Sequence, residues 1–322
     1  MAKSKKHLDI SVLIATYNRA DILRQTLENM TCLDRDGLSV EFVVVDNNSS
    51  DHTKEVIESF TDRLPIFYLF ESRPGKNCAL NKALNEVPLG KLVVFTDDDV
   101  KPKKDWLKAI IAITNRWPDY KVFGGKQFLI YPEVEIPKWA SSKVVMEIAF
   151  GWHDYGDKER PYSPNTFPFG ANFWVRGEIF EDNKRFNESI GPQPGSYIMG
   201  SEISFLRSLS EEGYRIVYSP NAVVGHCVCP NQISRLNILR RAYRCGRQGP
   251  HIGGLCRRKL FQKHPIFWLL IRVGIIIKAS FGCIRGMVCL STLRGIEMKI
   301  ASLINIGYNI ESIKLAWGKI RK

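Results

Sequence analysis

The chain of 322 residues lacks the glycine-rich phosphate loops of the commonest nucleotide-binding enzymes. No G-x-G-x-x-G follows its first apolar run, and no G-x-x-x-x-G-K-[ST] occurs anywhere. The backbone amides of such loops hold a dinucleotide or the phosphates of a nucleotide, so their absence counts against a dehydrogenase and a P-loop NTPase. Internal repeats and low-complexity tracts are also missing. The length suits one large domain with an appendage.

Cysteine is too sparse and too irregularly spaced for a disulfide framework, with eight residues in the whole chain. Cys227-Val228-Cys229 stands beside His226, but no second cysteine pair at ligand spacing accompanies it, which disfavours a zinc site. The first seven residues contain no apolar stretch of the signal-peptide type. We therefore expect reduced thiols and a catalytic part on the cytoplasmic side.

Acidic residues are scarce in the last third of the chain. Residues 226–322 hold eighteen Lys and Arg but only two acids, Glu297 and Glu311, whereas residues 1–225 hold three more acidic than basic side chains. Basicity confined to one segment points to an anionic partner of that segment. The arginines around Tyr243 could suggest nucleic acid. The apolar sequence that follows favours an anionic membrane surface instead, and we expect no nucleic-acid partner.

The segment Ile266–Leu290 is strongly apolar, yet it contains Arg272, Lys278 and Arg285. A charge near the centre of a bilayer costs about 2.5–3.5 kcal/mol, whereas each Leu, Ile, Phe or Val contributes only about 0.3–0.6 kcal/mol. The charges offset most of the apolar gain, so we expect a helix lying in the interface with basic side chains facing anionic lipid. Ile296–Ile320 continues the basic amphipathic pattern. The alternative is a helical subdomain packed on the catalytic core.

Strand-like and helix-like segments alternate through the first 130 residues. This alternation predicts βαβ units and an α/β fold with a mostly parallel sheet flanked by helices. The predicted strands are Ile10–Ala15, Val40–Val45, Ile66–Phe70 and Leu92–Thr96, and the predicted helices cover Asp21–Met30, a segment N-capped by Ser50 or Asp51, Asn77–Asn85 and Trp106–Arg116. Further along, Ser201–Glu212 predicts a helix and Arg215–Tyr218 a strand that ends near His226.

Three consecutive aspartates, Asp97, Asp98 and Asp99, close the apolar run Leu92–Thr96. In open α/β sheets, ligands bind beyond the carboxyl ends of the strands. Adjacent carboxylates at that edge would repel one another unless a cation shared them, and hard oxygen ligands suit Mg²⁺ or Mn²⁺ carrying a phosphate substrate. A solvated acidic turn is the alternative.

Polar side chains also follow the other predicted strands. Thr16 and Tyr17 end the first, Asp46 ends the second, and Lys76 follows the third. Tyr17 could stack on a base, Asp46 could accept a hydrogen bond from its ring N–H, and Lys76 could offset phosphate charge. Each has an ordinary structural explanation as packing, a turn or a solvated charge. Because all of them fall at the same edge of the sheet, we expect a nucleotide site there.

The ordered motifs resemble the inverting glycosyltransferases of family 2, which have a GT-A fold. The likeness covers roughly residues 8–250 and rests on Thr16-Tyr17-Asn18, Asp46-Asn47-Asn48-Ser49-Ser50-Asp51, Asp97-Asp98-Asp99, Gly170-Ala171-Asn172-Phe173, Gly200-Ser201-Glu202 and Pro220–His226. It implies a GT-A catalytic domain over residues 1–230 and a basic helical, membrane-associating region over residues 231–322.

The resemblance also implies roles for individual residues. Asp46, with Thr16 and Tyr17, would hold the nucleobase of a nucleotide-sugar, for which we expect a UDP-sugar. Lys76 would lie near the diphosphate, Asp97 would contact the ribose, and Asp98 lies between them in the donor site without an assigned role. The metal, Mn²⁺ or Mg²⁺, would be held by Asp99 and, as in some relatives, by His226. Asn172 and Trp174 are the candidates on the acceptor side.

Glu202 is the expected catalytic base. An inverting transfer by single displacement needs one carboxylate to remove the proton of the acceptor hydroxyl, and positive charge to stabilise the departing nucleoside diphosphate. Family members usually have two adjacent acids here, and Ser201 replaces the first. A first-turn acid favoured by the helix dipole is the alternative for Glu202.

We therefore expect a peripheral enzyme on the cytoplasmic side of a membrane that transfers a sugar to a hydroxyl of a glycan or a lipid-linked saccharide. A sugar nucleotidyltransferase is the competing enzymatic interpretation, although Ala15-Thr16-Tyr17-Asn18 stands where its phosphate loop would be. A membrane-attached nucleotide-sugar-binding subunit without activity is the other alternative.

Overall fold

The computed structural model describes residues 8–193, 197–252, 264–288 and 293–320. Its internal contacts divide the chain into two compact units. The first unit comprises Met1–Ile130, His153–Gly195 and Ser201–Cys227, and the second comprises Tyr131–Trp152, Ser196–Gly200 and Val228–Lys322. The second unit therefore takes two short segments from within the predicted catalytic domain.

The first unit contains alternating strands and helices close to the predicted ones. Its elements are β1 (Ile10–Thr16), α1 (Ala20–Thr31), β2 (Val40–Asp46), α2 (Thr53–Glu58), β3 (Ile66–Phe70), α3 (Lys76–Glu86), β4 (Leu92–Thr96), β5 (Val100–Pro102), α4 (Trp106–Arg116), β6 (Val122–Ile130), β7 (Arg160–Pro161), β8 (Phe173–Arg176), α6 (Ser201–Glu211) and β9 (Ile216–Cys227). His52 rather than Ser50 or Asp51 stands at the N-cap of α2, but Asp51 accepts the Thr53 amide at 3.2 Å.

The nine described strands form one mixed sheet in the order β3-β2-β1-β4-β8-β6-β9-β5, with β7 paired to β9. The neighbours β3, β2, β1 and β4 are parallel, whereas β8 is antiparallel to both β4 and β6, and β5 is antiparallel to β9. The strand order reverses between β1 and β4, which is the switch point where open α/β sheets bind ligands.

Alternate residues of the parallel strands enter two apolar cores on opposite faces of the sheet. One core takes Ile10, Val12 and Ile14 of β1 with Leu92 and Val94 of β4, and the other takes Leu13 of β1 with Val93 and Phe95 of β4. Burial on both faces explains why these strands appear in the sequence as continuous apolar runs. The rigid sheet then holds the polar residues that follow each strand in fixed positions.

The second unit is helical, with α5 (Lys143–Phe150), α7 (Arg235–Ile252), α8 (Pro265–Val288) and α9 (Leu293–Ile320). Helices α7 and α9 pack backbone to backbone, because a Cβ on Gly246 would lie 2.0 Å from the carbonyl oxygen of Ile304. Glu311 of α9 is buried and accepts hydrogen bonds from Arg247 at 2.7 Å, with His251 at 3.1 Å.

Helix α8 contains most of the predicted apolar segment, whose last two residues lie outside the described ones. By length and composition its stretch Pro265–Gly286 could cross a membrane, with a mean hydropathy of 1.8. The core helix of a soluble protein passes the same test, although only 17% of this stretch is buried. Arg272 does not face outward, because it is 4% exposed and donates to Asn309 of α9 at 2.9 Å.

Candidate active site

The structure brings the residues that follow β1 and β4 together at the strand-order reversal. Thr16, the last residue of β1, donates a 2.7 Å hydrogen bond to Asp98, just beyond β4. On the other side of β1, Thr16 is in register with Asp46 of β2. Three of the predicted donor-site residues therefore meet at one edge of the sheet.

Asp97, Asp99 and His226 form a cluster in which one ligand atom from each residue lies within 4.8 Å of the others. Antiparallel pairing of β5 with β9 sets Val100 opposite His226, and the Cys227 amide donates to the Asp99 carbonyl oxygen at 2.8 Å. His226 Nε2 consequently lies 3.3 Å from Asp99 Oδ1.

The donor set of this cluster fits a divalent metal ion. Asp99 Oδ1 is buried and has no hydrogen-bond partner among the described residues. A buried carboxylate oxygen left unpaired is costly, and a cation between the carboxylates and the imidazole would satisfy it. Two carboxylates and one imidazole are ligands that Mn²⁺ accepts, so Asp97, Asp99 and His226 could together hold a metal.

Asp98 is hydrogen-bonded to Thr16 and Arg19. Only 3% exposed, it accepts from Thr16 on one oxygen and from Arg19 Nη1 on the other, at 2.6 Å. Burial raises the pKa of Asp98 to about 7, with Arg19 opposing the shift and Asp99 adding to it. Protein donors thus engage both oxygens of Asp98, and its contact with the nucleotide-sugar stays a prediction.

Arg19 is the site residue that the sequence analysis missed. It stands at the N-cap position of α1, and its second guanidinium nitrogen, Nη2, donates to Asp99 Oδ2 at 2.7 Å. One guanidinium therefore bridges two of the three aspartates. The available signal was a basic residue three positions after the end of β1, next to the motif Thr16-Tyr17-Asn18.

Lys76, the first residue of α3, forms an ion pair with Asp97. Burial would lower the pKa of the Lys76 ammonium, but the charges of Asp97 and Glu202 outweigh burial and raise it. Burial would raise the pKa of the Asp97 carboxyl, but the positive charge of Lys76 outweighs burial and lowers it. The predicted basic residue thus lies between the acidic cluster and Glu202.

Asn47 holds the loop that delivers Lys76. Its side-chain oxygen accepts the Gly75 amide at 2.7 Å, and its amide nitrogen donates to the Arg73 carbonyl oxygen at 2.7 Å. Gly75 has φ +128°, a conformation that side chains with a Cβ rarely adopt. Asn47, which follows β2, therefore positions the loop between β3 and α3.

Asp46 and Tyr17 lie on the same side of the sheet edge but differ in exposure. Asp46 is 3% exposed and accepts the Ser49 amide on Oδ1 at 2.8 Å, whereas Tyr17 is 49% exposed. Burial and the neighbouring Asp46 raise the pKa of Tyr68. The base site, with an exposed ring after β1 and a buried carboxylate at the end of β2, stays a prediction.

Glu202 lies in the first turn of α6, and it lines a small cleft together with Lys76, Thr96, Gly170 and Ser201. The other side chains that line this cleft are apolar: Leu80, Phe95, Phe173 and Phe186. A Cβ on Gly170 would come within 3.1 Å of the Glu202 carboxyl carbon, so glycine leaves room for that carboxylate. The predicted base therefore shares one cleft with the predicted diphosphate lysine.

Asn172 and Trp174 are both fully buried, and the structure gives neither an acceptor-facing surface. Asn172 accepts from Trp106 Nε1 at 3.0 Å and donates to the Ala222 carbonyl oxygen at 2.8 Å. Trp174 donates to Thr114 at 3.0 Å. Their prediction as acceptor residues is wrong, because Trp174 lies in β8 in the middle of the sheet and Asn172, directly before β8, is held in the interior by Trp106 and Ala222.

The chain is similar to known glycosyltransferases. The model of the family "Glycosyl transferase family 2" matches residues 11–184. Glycosyltransferase AglE of Haloferax volcanii is 24% identical over 267 residues, covering 81% of this chain and 80% of that protein. The GalNAc(5)-diNAcBac-PP-undecaprenol beta-1,3-glucosyltransferase of Campylobacter jejuni is 28% identical over 188 residues, covering 56% of this chain and 55% of that protein.

A solved structure shows the same fold. The mannosyltransferase PcManGT from Pyrobaculum calidifontis, in complex with GDP-Man and Mn²⁺, superposes with a TM-score of 0.54 at 22% identity. The superposition covers 78% of this chain and 66% of that one. At this level of identity, the likeness concerns the fold alone.

Proposed function

Since the chain belongs to glycosyltransferase family 2 and has the GT-A fold expected from its motifs, we propose that it is a metal-dependent inverting enzyme. It would transfer a sugar from a nucleotide-sugar to a hydroxyl of a glycan or lipid-linked saccharide. The observation that carries the proposal is the shared cleft of Glu202 and Lys76, with Lys76 paired to Asp97 of the metal-fitting cluster.

The proposed roles follow from these positions. Asp46 and Tyr17 bind the base, Asp97 contacts the ribose, and Lys76 turns from Asp97 toward the diphosphate when the donor arrives. A divalent ion held by Asp99 and His226, beside Asp97, would supply positive charge to the departing diphosphate. Placing opposite charges at the two ends of the reacting centre favours the transition state over the ground state.

The proposed reaction is a single displacement. The Glu202 carboxylate takes the proton of the acceptor hydroxyl while that oxygen forms its bond to the anomeric carbon. The bond from the anomeric carbon to the diphosphate oxygen breaks, and its electron pair leaves with the nucleoside diphosphate. One base is sufficient for this step, so Ser201 in place of a second acid does not prevent it.

Substitution of Glu202 tests the proposed base. Glu202→Gln should lower turnover about 10²–10⁴-fold, the usual contribution of a general base, with donor affinity unchanged. Glu211→Gln, an exposed acid on the same helix, is the matched control and should retain full turnover. Undiminished turnover in Glu202→Gln would remove this residue from the mechanism, whereas inactivity of the wild type toward every donor would favour a binding subunit.

Substitution of Asp99 tests the proposed metal. Asp99→Asn should weaken donor binding in the presence of Mn²⁺ to the level that the wild type shows with a chelator. Asp62→Asn, an exposed aspartate, is the control. Equal donor affinity of the wild type with Mn²⁺ and with a chelator would contradict the assignment.

We propose a UDP-sugar as the donor, with GDP-mannose, the ligand of the Pyrobaculum enzyme, as the comparison. A ligand that binds only the native state raises its apparent stability, by about 2.7 kcal/mol at a hundred times Kd. A panel of nucleotide-sugars with Mn²⁺ should therefore identify the donor by the largest rise in unfolding temperature. A larger rise with GDP-mannose than with every UDP-sugar would reject the uridine assignment.

We also propose that α8 binds the cytoplasmic membrane surface peripherally, close to lipid-linked acceptors such as that named for the Campylobacter relative. One face of α8 exposes apolar side chains at helical spacing: Ile266, Leu270, Val273, Ile277, Phe281 and Ile284. Lys278 and Arg285 are exposed seven residues apart at one edge of that face. An apolar face bordered by basic residues is typical of an interfacial helix.

Vesicle binding tests this orientation. Each basic residue near an anionic surface contributes about 1 kcal/mol, so replacing Lys278 and Arg285 by Gln should weaken binding to phosphatidylglycerol-containing vesicles about 30-fold. Phe281→Ser should also weaken binding, while Phe67→Ser, at an exposed site in β3, should not. Resistance of the membrane-bound protein to alkaline carbonate would indicate a spanning helix instead.

A further inference from the structure

Arg19 connects the carboxylates that the proposed metal site depends on. Its guanidinium donates from Nη1 to Asp98 Oδ1 at 2.6 Å and from Nη2 to Asp99 Oδ2 at 2.7 Å. Both carboxylates are nearly buried, with side-chain exposures of 5% and 6%, whereas that of Arg19 is 33%. The planar guanidinium is suited to hold two oxygens in a fixed relation, which a lysine ammonium cannot do.

The contact selects one oxygen of Asp99. Arg19 takes Oδ2, so Oδ1 remains on the side of His226, 3.3 Å from its Nε2, without a hydrogen-bond partner among the described residues. The contact with Arg19 restrains rotation of the Asp99 carboxylate about its last bond. The guanidinium thus holds the plane of the carboxylate so that the oxygen not bound to Arg19 stays on the side of His226.

Asp98 in turn fixes the guanidinium. Its second oxygen accepts from Thr16, and its carbonyl oxygen accepts from Thr26 at 2.7 Å, so neither the side chain nor the backbone of Asp98 is free to shift. Hydrogen bonds therefore connect β1 and α1 to Asp98, Asp98 to Arg19, and Arg19 to Asp99. Hydrogen bonds from Thr16, Thr26 and Arg19 thus restrain three atoms of Asp98.

Arg19 also offsets charge before a cation arrives. Three adjacent carboxylates repel one another, and Lys76 forms its ion pair with Asp97. A guanidinium between Asp98 and Asp99 places positive charge within hydrogen-bond distance of both carboxyl groups and offsets part of this repulsion. Arg19 nevertheless stands outside the cluster of ligand atoms formed by Asp97, Asp99 and His226.

We propose that Arg19 is a positioning residue for the metal site, which orients Asp99 so that Oδ1 faces the divalent cation and which keeps the aspartates together without it. This inference rests on the proposed metal dependence. Removal of a residue that hydrogen-bonds to a metal ligand typically weakens metal binding 10–100-fold. Arg19 is therefore expected to raise affinity for the cation despite its own positive charge.

The experiment measures Mn²⁺ binding to the full chain without a donor, by the electron paramagnetic resonance signal of the free ion. Arg19→Gln should weaken Mn²⁺ binding 10–100-fold. Arg19→Lys should restore little of the loss, because it keeps the charge but not the double hydrogen bond. Arg24→Gln, an exposed arginine on the same helix, is the matched control and should bind as the wild type does.

A second variant protects the test against misfolding. Asp98→Asn removes the group that fixes Arg19 while leaving Arg19 and Asp99 in place, and it should also weaken Mn²⁺ binding. Unfolding temperatures of all variants without metal show whether the fold persists. A variant that unfolds at the wild-type temperature but binds Mn²⁺ less tightly has lost positioning rather than structure.

The outcomes separate this inference from the proposed function. Tighter Mn²⁺ binding by Arg19→Gln would show that Arg19 competes with the cation, and unchanged binding would show that Asp99 needs no orientation; either result overturns the inference alone. Full rescue by Arg19→Lys would reduce the role to charge and overturn it as well. Absence of Mn²⁺ binding by the wild type would refute the metal centre itself, and the inference with it.

Discussion

His153 should make the stability of this protein depend on pH. It is 9% exposed, its Nε2 lies 2.8 Å from the Tyr162 hydroxyl, and its ring stacks on that tyrosine with a centroid separation of 5.7 Å. Burial lowers the pKa of His153 to about 4, with Asp154 opposing the shift. The histidine is therefore neutral in the native protein near neutral pH.

The size of the effect follows from the two pKa values. An unfolded chain binds this proton near pH 6.5, whereas the native protein binds it only near pH 4. Between these values the unfolded state carries more protons, so the free energy of unfolding falls as the pH is lowered from about 6.5 to about 4. At about 1.4 kcal/mol for each pH unit, the loss is about 3 kcal/mol.

Urea unfolding of the wild type and of His153→Gln, each at pH 7 and at pH 4, measures this loss. Carboxylates titrate in both proteins and cancel in the comparison, so the wild type should lose about 3 kcal/mol more than the variant over this interval. His52→Gln, whose side chain is 53% exposed, should behave as the wild type does.

Equal losses in the wild type and in His153→Gln would refute the reasoning, because they would show that His153 titrates normally in the native state. A greater loss in the variant would do the same. Equal losses would mean that the imidazole ring of His153 is hydrated in solution. The aromatic cluster of His153, Tyr155, Tyr162 and Tyr218 would then be open to water.

Three further changes test the packing around the candidate site. Asn172→Ala should destabilise the protein by about 3 kcal/mol in urea unfolding, because it leaves the buried Trp106 N–H and Ala222 carbonyl unpaired; a cost below about 1 kcal/mol would mean that water replaces the amide. Phe95→Ala should cost about 3–5 kcal/mol, since the ring stacks on Phe173 at 4.7 Å and meets Phe186 edge-on at 5.2 Å; a smaller loss would show that the cavity collapses. Gly170→Ala should lower kcat about tenfold with donor affinity unchanged, because its Cβ displaces the Glu202 carboxylate; unaltered kcat would separate this glycine from the chemistry.

The predicted strands and helices of the first unit agree with the structure to within a few residues, because their patterns are local. β4 coincides with the predicted strand Leu92–Thr96, and α4 coincides with the predicted helix Trp106–Arg116. A strand buried on both faces must be apolar throughout, and an amphipathic helix must repeat every three to four residues. Such patterns can be read without knowing which elements are neighbours.

Asn172 and Trp174 show where a motif misleads. The motif around Gly170 does lie at the cleft, where Gly170 faces Glu202. The residues after it enter β8, which pairs with β4 and β6 in the middle of the sheet. A sequence motif does not state at which residue the chain leaves the surface, so two buried side chains were assigned to an acceptor.

Local patterns specify the apolar strands, the acidic cluster that follows β4 and the basic character of the last third, since each depends on residues adjacent in the chain. The separate partners of the three aspartates depend on the fold: Asp97 pairs with Lys76, Asp98 with Thr16 and Arg19, and Asp99 with Arg19 and His226. Their partners lie 21 to 127 residues away in the chain. The order of the strands and the packing of both sheet faces bring them together, and neither is encoded in any single motif.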